Sequence, residues 1–326
     1  MKPRAAFMGT PAFAVPCLEA LFDVAEVVLV VTQPDKPQGR GLTLTPPPVK
    51  VLAESRGVRV IQPLKVRDGS LQRELAALDL DFALVVAYGR ILPEDVLNTP
   101  RLGCVNVHGS LLPRFRGAAP IQWAVIEGDQ ESGVCLMQMD AGMDTGPELS
   151  RRVLAIGENE TAGELSERLS KLSGELIRED IPRFVRGELV AKAQPTEGVT
   201  HARMLEKSDG ALDFTLSAQA IHDRVRGLSP WPGAFTALAG RRIKVHVTRV
   251  VEREGVHGTP GSVVSADGAG IVIACGKGLV RIDELQADGK KKMSASVFLA
   301  GHSIYQGERL ASHAELTTNA GSGDAT

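Results

Sequence analysis

The sequence predicts an α/β chain in two parts: an open, mostly parallel sheet with helices on both faces, then a smaller OB-like β-barrel. Three observations carry that prediction. Short apolar, β-branched runs alternate with helical patterns over residues 1–190, as βαβ units require. After about Ser208 the texture changes to short β-rich runs punctuated by glycines, which suits a small barrel. At 326 residues, two domains are the default for such a chain.

The elements follow in order. Ala5–Met8 reads as a strand that ends at Gly9-Thr10-Pro11, and Pro11–Phe22 as a helix. Val27–Thr32 is a continuous β-branched run, typical of a strand buried on both faces. Val49–Arg56 reads as helix, Val58–Ile61 as strand and Ser70–Leu78 as helix. Phe82–Ala87 is another buried strand, Val96 marks a turn of helix, and Gly103–Val107 is a further strand. Ile121–Glu127 continues as helix and Gly133–Met139 as strand. Thr161–Val185 is a long helical pattern that Thr161 and Glu164 can open as a capping box and that Pro182 can kink or split. Gln194–Gly198 is polar, carries Pro195 and reads as a linker. Leu216–Gly227 is one helix with Ser217 near its start. The barrel strands are expected at Ala234–Leu238, Ile243–Val251, Gly261–Val264, Ile271–Ala274 and Leu279–Leu285, with a terminal helix after Lys290–Lys292. Thr317–Thr326 is small and polar and reads as disordered.

Composition excludes several classes. A 43% apolar and 23% charged chain of net charge −2 is an ordinary globular protein with no global pull toward nucleic acid or anionic membrane. Cys17, Cys104, Cys135 and Cys275 are far apart and lack metal-ligand spacing, so reduced, buried thiols in the cytoplasm and no metal are expected. No apolar run reaches the roughly 20 residues that span a bilayer. Gly9-Thr10-Pro11-Ala12-Phe13 lacks GxGxxG and no Walker A pattern occurs, so a turn near the site fits better than a phosphate loop.

The chemistry concentrates elsewhere. Strand alternation puts Asn106 and His108 on one face, with Val107 opposite, at the carboxyl end of a strand where open α/β sheets bind ligands. Asp144 lies in a glycine-flanked loop after the next long strand. An amide can hold a developing oxyanion, an imidazole can move a proton near neutral pH, and a carboxylate can orient the imidazole. The plainer alternative is a hydrogen-bonded polar pair satisfied inside the fold. Residues 33–48 form a long Pro/Gly-rich loop, either functional or simply mobile, whose Lys36 and Arg40 give it a cationic edge. Lys290, Lys291 and Lys292, with Arg241, Arg242, Lys244 and Arg249, offer basic character that is either a solvated face or a nucleic-acid contact.

With these residues assembled, the chain resembles the methionyl-tRNA formyltransferases over nearly its whole length. The carrying segments are Phe7–Pro11, Thr32–Gly41, Val85–Pro93, Gly103 through Arg116–Trp123, Met137–Asp140 and Asp144–Gly146. Pro230–Pro232 and Gly289–Ala295 continue the resemblance in the second part. It implies a Rossmann-like formyltransferase catalytic domain (1–190), a linker (191–207), an OB-like tRNA-binding domain (208–315) and a disordered tail (316–326).

The implied reaction moves a formyl group from 10-formyltetrahydrofolate, a co-substrate, to the methionine amine of initiator methionyl-tRNA. Asn106, His108 and Asp144 match the family's catalytic trio. Ser110, Leu111, Leu112 and Pro113 match its folate-binding motif, and Arg90, Ile91 and Leu92 the wall beside the pterin. Arg40 matches the loop arginine that inserts toward the tRNA acceptor end, with Lys36 and Lys290–Lys292 as further tRNA contacts. Family members often follow that arginine with lysines, whereas Gly41–Leu44 is neutral here. A monomer without membrane attachment is expected. The competing readings are a sugar-nucleotide N-formyltransferase, a formyltetrahydrofolate hydrolase, and a non-catalytic tRNA- or folate-binding protein on the same scaffold. Whether His108 or Asp144 takes the amine proton stays open at this stage.

Overall fold

The computed structural model describes residues 2–38, 43–311 and 313–318. Arg40 therefore lies outside the described residues, as does the expected tail beyond Thr318. The chain forms two compact units, residues 1–121, 131–155 and 165–203, and residues 122–130, 156–164 and 204–326. Residues 191–203, expected between the domains, belong to the first unit.

The first unit contains strands β1 (Arg4–Gly9), β2 (Glu26–Val31), β3 (Lys36–Gln38), β4 (Thr43–Thr45), β5 (Val60–Ile61), β6 (Phe82–Val86), β7 (Cys104–His108), β8 (Arg116–Gly117), β9 (Glu131–Gln138), β10 (Glu148–Ala155) and β11 (His201–Ala202). Helices α1 (Val15–Val24), α2 (Pro48–Ser55), α3 (Ser70–Ala76) and α4 (Glu94–Leu97) lie between its strands. The main sheet has the order β10-β9-β7-β6-β1-β2-β5. β7, β6, β1, β2 and β5 are mutually parallel, and β9 runs antiparallel to both β7 and β10.

The alternating faces of these strands bury two apolar layers. Ala6, Met8, Leu29, Val31, Ala83, Val85 and Cys104 share one cluster with Leu71 and Leu75 of α3 and Val96 and Leu97 of α4. On the opposite face Phe82 meets Phe184 edge-on, ring centroids 6.0 Å apart. Each such fully buried Leu or Phe stabilises the fold by about 1.5–3 kcal/mol.

Strand order reverses between β1 and β6, which opens a crevice at their carboxyl ends. Gly9 ends β1 there because a Cβ would sit 2.6 Å from the Phe7 ring and 2.9 Å from Val86 O. Thr10 Oγ1 donates to Tyr88 O at 3.1 Å, and Gln33 Nε2 donates to Tyr88 O at 3.0 Å and Gly89 O at 3.2 Å, tying three loops together around the crevice.

Several expectations are refined. Pro11–Phe22 is a short 3-10 turn, Ala12–Ala14, followed by α1. The 33–48 loop contains the antiparallel pair β3–β4, with Lys36 opposite Thr45. β10 was not foreseen. It is an edge strand whose side chains alternate between partial burial and exposure and include Arg151 and Arg152.

The second unit includes α5 (Pro120–Ile126) from Gln122 onward, the start of α6 (Ala162–Val185), α7 (Ala218–Gly227), α8 (Ala295–Gly301) and α9 (His313–Thr318). The capping box forms: Thr161 N donates to Glu164 Oε2 at 2.8 Å, and Glu164 N donates to Thr161 Oγ1 at 3.2 Å. α6 then runs unbroken through Pro182. Ser217 caps α7 by accepting from Ala220 N.

The unit's sheet comprises β12 (Ala234–Leu238), β13 (Arg241–Glu252), β14 (Val263–Asp267), β15 (Gly270–Ala274), β16 (Leu279–Ala287) and β17 (Met293–Ser294). Its order is β12-β13-β16-β15-β14, with β17 on β16, and every pairing is antiparallel. The two edges meet through residues 307–311. Ala311 N donates to Ala237 O at 2.8 Å, while Val263 N donates to Glu308 O at 2.8 Å and Leu310 N to Gly261 O at 2.9 Å. One short extended segment thus satisfies both sheet edges, the usual hazard of an open sheet.

Among the described residues no helix is long and apolar enough to cross a membrane.

Candidate active site

Asn106 and His108 project from β7 among otherwise apolar neighbours and are only 9% and 6% exposed. Polar groups this deep need partners. His108 Nε2 lies 2.9 Å from Phe115 O. A carbonyl only accepts, so Nε2 carries the hydrogen and donates it, which leaves Nδ1 as the acceptor nitrogen of the neutral ring. Nδ1 is 3.7 Å from Asp144 Oδ1. That separation is too long for a hydrogen bond and short enough for a strong charge interaction once the ring is protonated.

Asp144 reaches this position by an indirect route. β9 is antiparallel to β7, so its end at Gln138 pairs with Val105 near the start of β7. The loop of residues 139–147 must fold back to bring the carboxylate to His108. Two features of Asp144 mark that turn. Asp144 adopts a left-handed backbone with φ 54°, a conformation that costs a non-glycine residue roughly 1–3 kcal/mol unless its surroundings fix it. Its Oδ2 accepts the Gly117 N–H at 2.8 Å. Gly117 itself has φ 121°, and a Cβ there would stand 2.6 Å from Ala202 O.

Sequence reasoning missed Phe115, Gly117 and Gln194. Gln194 Nε2 donates to Asp144 O and Gly146 O, both at 2.8 Å. Its Oε1 accepts from Arg116 Nε and Nη2 at 3.1 and 2.7 Å. Gln194, Arg116, Thr145, Pro147 and Thr196 line a cleft of about 520 Å³. Nothing in the local sequence marks Gln194, because its contacts are all distant along the chain.

The remaining expected residues divide by environment. Ser110 is fully buried and donates to Arg114 O at 2.7 Å, and Leu112 packs on Cys135 and Met137. Leu111 and Pro113 keep part of their surface. Ile91 is 58% exposed, Leu92 belongs to the core, and Arg90 Nη1 donates to Leu64 O at 2.7 Å. Lys36 is exposed on the β3–β4 hairpin. Lys290 and Lys291 are exposed in the second unit, where Lys292 pairs with Glu284. Arg242 stacks over Phe235 at 3.6 Å, beside exposed Arg241 and Lys244. Burial pushes all four thiols up to about 12, so none is a ready nucleophile.

The formyl transferase family matches residues 4–181, and the formyl transferase C-terminal domain matches residues 204–303. The methionyl-tRNA formyltransferase of Myxococcus xanthus is 51% identical over 94% of this chain and 98% of its own length. Two crystal structures share the fold at 16% identity. An N-formyltransferase from Helicobacter canadensis, in complex with folinic acid and dTDP-3-aminofucose, has a TM-score of 0.64 and covers 88% of this chain and all of its own. HypX from Aquifex aeolicus, in complex with tetrahydrofolic acid, has a TM-score of 0.58 over 92% of this chain, which spans 47% of that longer protein. The chain belongs to the methionyl-tRNA formyltransferase family.

Proposed function

We propose that this chain transfers the formyl group of 10-formyltetrahydrofolate to the α-amine of methionine on initiator methionyl-tRNA. The observation that carries the reading is the meeting of Asn106, His108 and Asp144 at the end of β7, with His108 Nδ1 facing Asp144 Oδ1 across 3.7 Å. The relationship to methionyl-tRNA formyltransferases over 94% of the chain supports the same choice of acceptor.

The folate supplies a formyl group on a nitrogen that can leave. Half-buried Leu111 and Pro113 and exposed Ile91 offer apolar surface for its ring system, and Arg90, next to Ile91 in the chain, is anchored by Leu64 O. The unprotonated amine attacks the formyl carbon, and the new C–N bond forms as the carbonyl oxygen takes negative charge. The Asn106 amide stabilises that oxygen as a neutral donor. His108 cannot use Nε2, which Phe115 O already holds, so Nδ1 is the atom that takes or shares a proton. Asp144 stabilises the resulting imidazolium, and the proton passes to the departing folate nitrogen as the old C–N bond breaks. Atoms balance without a metal, an oxidant or a covalent enzyme adduct.

The acceptor RNA would lie on basic side chains: Lys36 and Arg40 on the first unit, and Arg241, Arg242, Lys244, Lys290, Lys291 and Lys292 on the second. The protein acts as a monomer in the cytoplasm in this reading. A formylation assay with charged initiator tRNA, charged elongator tRNA and an amino-sugar nucleotide tests it. Initiator methionyl-tRNA is expected to be the preferred acceptor. Preferential formylation of the sugar nucleotide, or hydrolysis without transfer, refutes the assignment.

A further inference from the structure

Residues 194–202 supply no group to the reaction above, yet they touch the site at two separate points. Gln194 holds the Asp144 loop by donating to Asp144 O and Gly146 O. Arg116 fixes which way that amide faces: a guanidinium only donates and carbonyls only accept, so one amide orientation satisfies all four contacts. Six residues on, Thr200 Oγ1 accepts from Phe115 N at 2.8 Å, and Thr200 O accepts from Arg116 N at 2.9 Å. Phe115 is the residue whose carbonyl holds His108 Nε2. One segment therefore sets the carboxylate through Gln194 and the imidazole through Thr200. Asp144 and Phe115 both have left-handed backbones, φ 54° and 60°, which need external support.

We propose that residues 194–202 are a positioning brace for the reaction, with Gln194 placing Asp144 and Thr200 placing the carbonyl that orients His108. The proposal rests on the formyl-transfer reading. It differs from a purely structural role in what a substitution changes.

Gln194→Glu keeps a partner for Arg116 and strengthens it to an ion pair, but it loses both N–H donors and sets a carboxylate oxygen against two carbonyls. A purely structural anchor would lose stability without a selective loss of kcat, whereas a positioning residue loses kcat in protein that still folds. The expected result with the full-length protein is a fall in kcat of about 10–100-fold, from misplacement on the ångström scale. KM for folate and for tRNA should each stay within about threefold. The loss should also shrink sharply in an Asp144→Asn background, because both changes act through one carboxylate. Thr200→Val, which removes one hydroxyl acceptor with little change of shape, should lower kcat similarly and carries the test if Gln194→Glu fails to fold. Wild-type kcat in the variant that folds, or a Gln194→Glu loss that multiplies undiminished with Asp144→Asn, overturns the brace. Failure of the wild-type protein to transfer formyl overturns the underlying reading instead, so the two failures are distinguishable.

Discussion

Asp144→Asn isolates the charge of the carboxylate from its place in the fold. An asparagine oxygen can still accept the Gly117 N–H that Oδ2 accepts at 2.8 Å. Its amide nitrogen can face His108 Nδ1, which is an acceptor while Nε2 holds the hydrogen. Stability should therefore change little. What disappears is the attraction between a carboxylate and an imidazolium 3.7 Å apart, with side chains only 16% and 6% exposed. At an effective dielectric of about 20 that attraction is ~4.5 kcal/mol. At 1.36 kcal/mol per decade it corresponds to a rate loss of about 10³-fold if the charged pair forms only along the reaction. The assay is single-turnover formylation with both substrates saturating, alongside a thermal melt. A folded Asp144→Asn protein that keeps more than about a tenth of the wild-type rate refutes the electrostatic role assigned to Asp144.

Further outcomes follow from the same geometry. Asn106→Ala should lower kcat by about 10²–10³-fold through loss of an oxyanion donor, and His108→Ala by about 10²–10⁴-fold, each measured by single-turnover transfer on folded protein. Gly117→Ala should cost about 1–3 kcal/mol in denaturant melts, since its Cβ meets Ala202 O at 2.6 Å and its backbone is left-handed. Unchanged stability there contradicts the packing. The buried thiols, raised from 9.0 to about 12, give a linkage test. Unfolded thiols ionise near 9.0 while folded ones stay protonated, so stability is intact below 9.0 and falls as pH rises toward about 12. Melts of a Cys17→Ala, Cys104→Ala, Cys275→Ala variant should show a shallower alkaline loss than wild type; parallel curves count against the thiols as its source.

Much of this molecule is legible because burial writes itself into composition. β6, and β2 from Val27 onward, appear as unbroken apolar runs, while in the buried β7 Asn106 and His108 stand out as polar interruptions. The Thr161–Glu164 capping box and the Ser217 cap are local interactions, and local residues predict them. β10 escapes because it lies at the sheet edge, where Arg151 is exposed and Arg152 pairs with buried Asp180, so the strand lacks an apolar run. The β3–β4 pair hides in a Pro/Gly-rich stretch whose composition says loop. Closure of the second sheet depends on hydrogen bonds from residues 307–311 to two distant edges, which no window of sequence reveals. The same applies at the site. The trio's residue types signal their chemistry, but the Phe115 carbonyl and the Gln194 amide act across 7 and about 50 positions of chain, through contacts that only folding creates.

The most direct test of the account is single-turnover transfer from 10-formyltetrahydrofolate to initiator methionyl-tRNA by the wild-type protein, His108→Ala and Asp144→Asn side by side. N-formylmethionyl-tRNA should form with wild type, while both variants bind the substrates, fold and transfer formyl far more slowly. A wild-type protein that binds folate without formylating the tRNA contradicts the function, and variants that match wild type contradict the site.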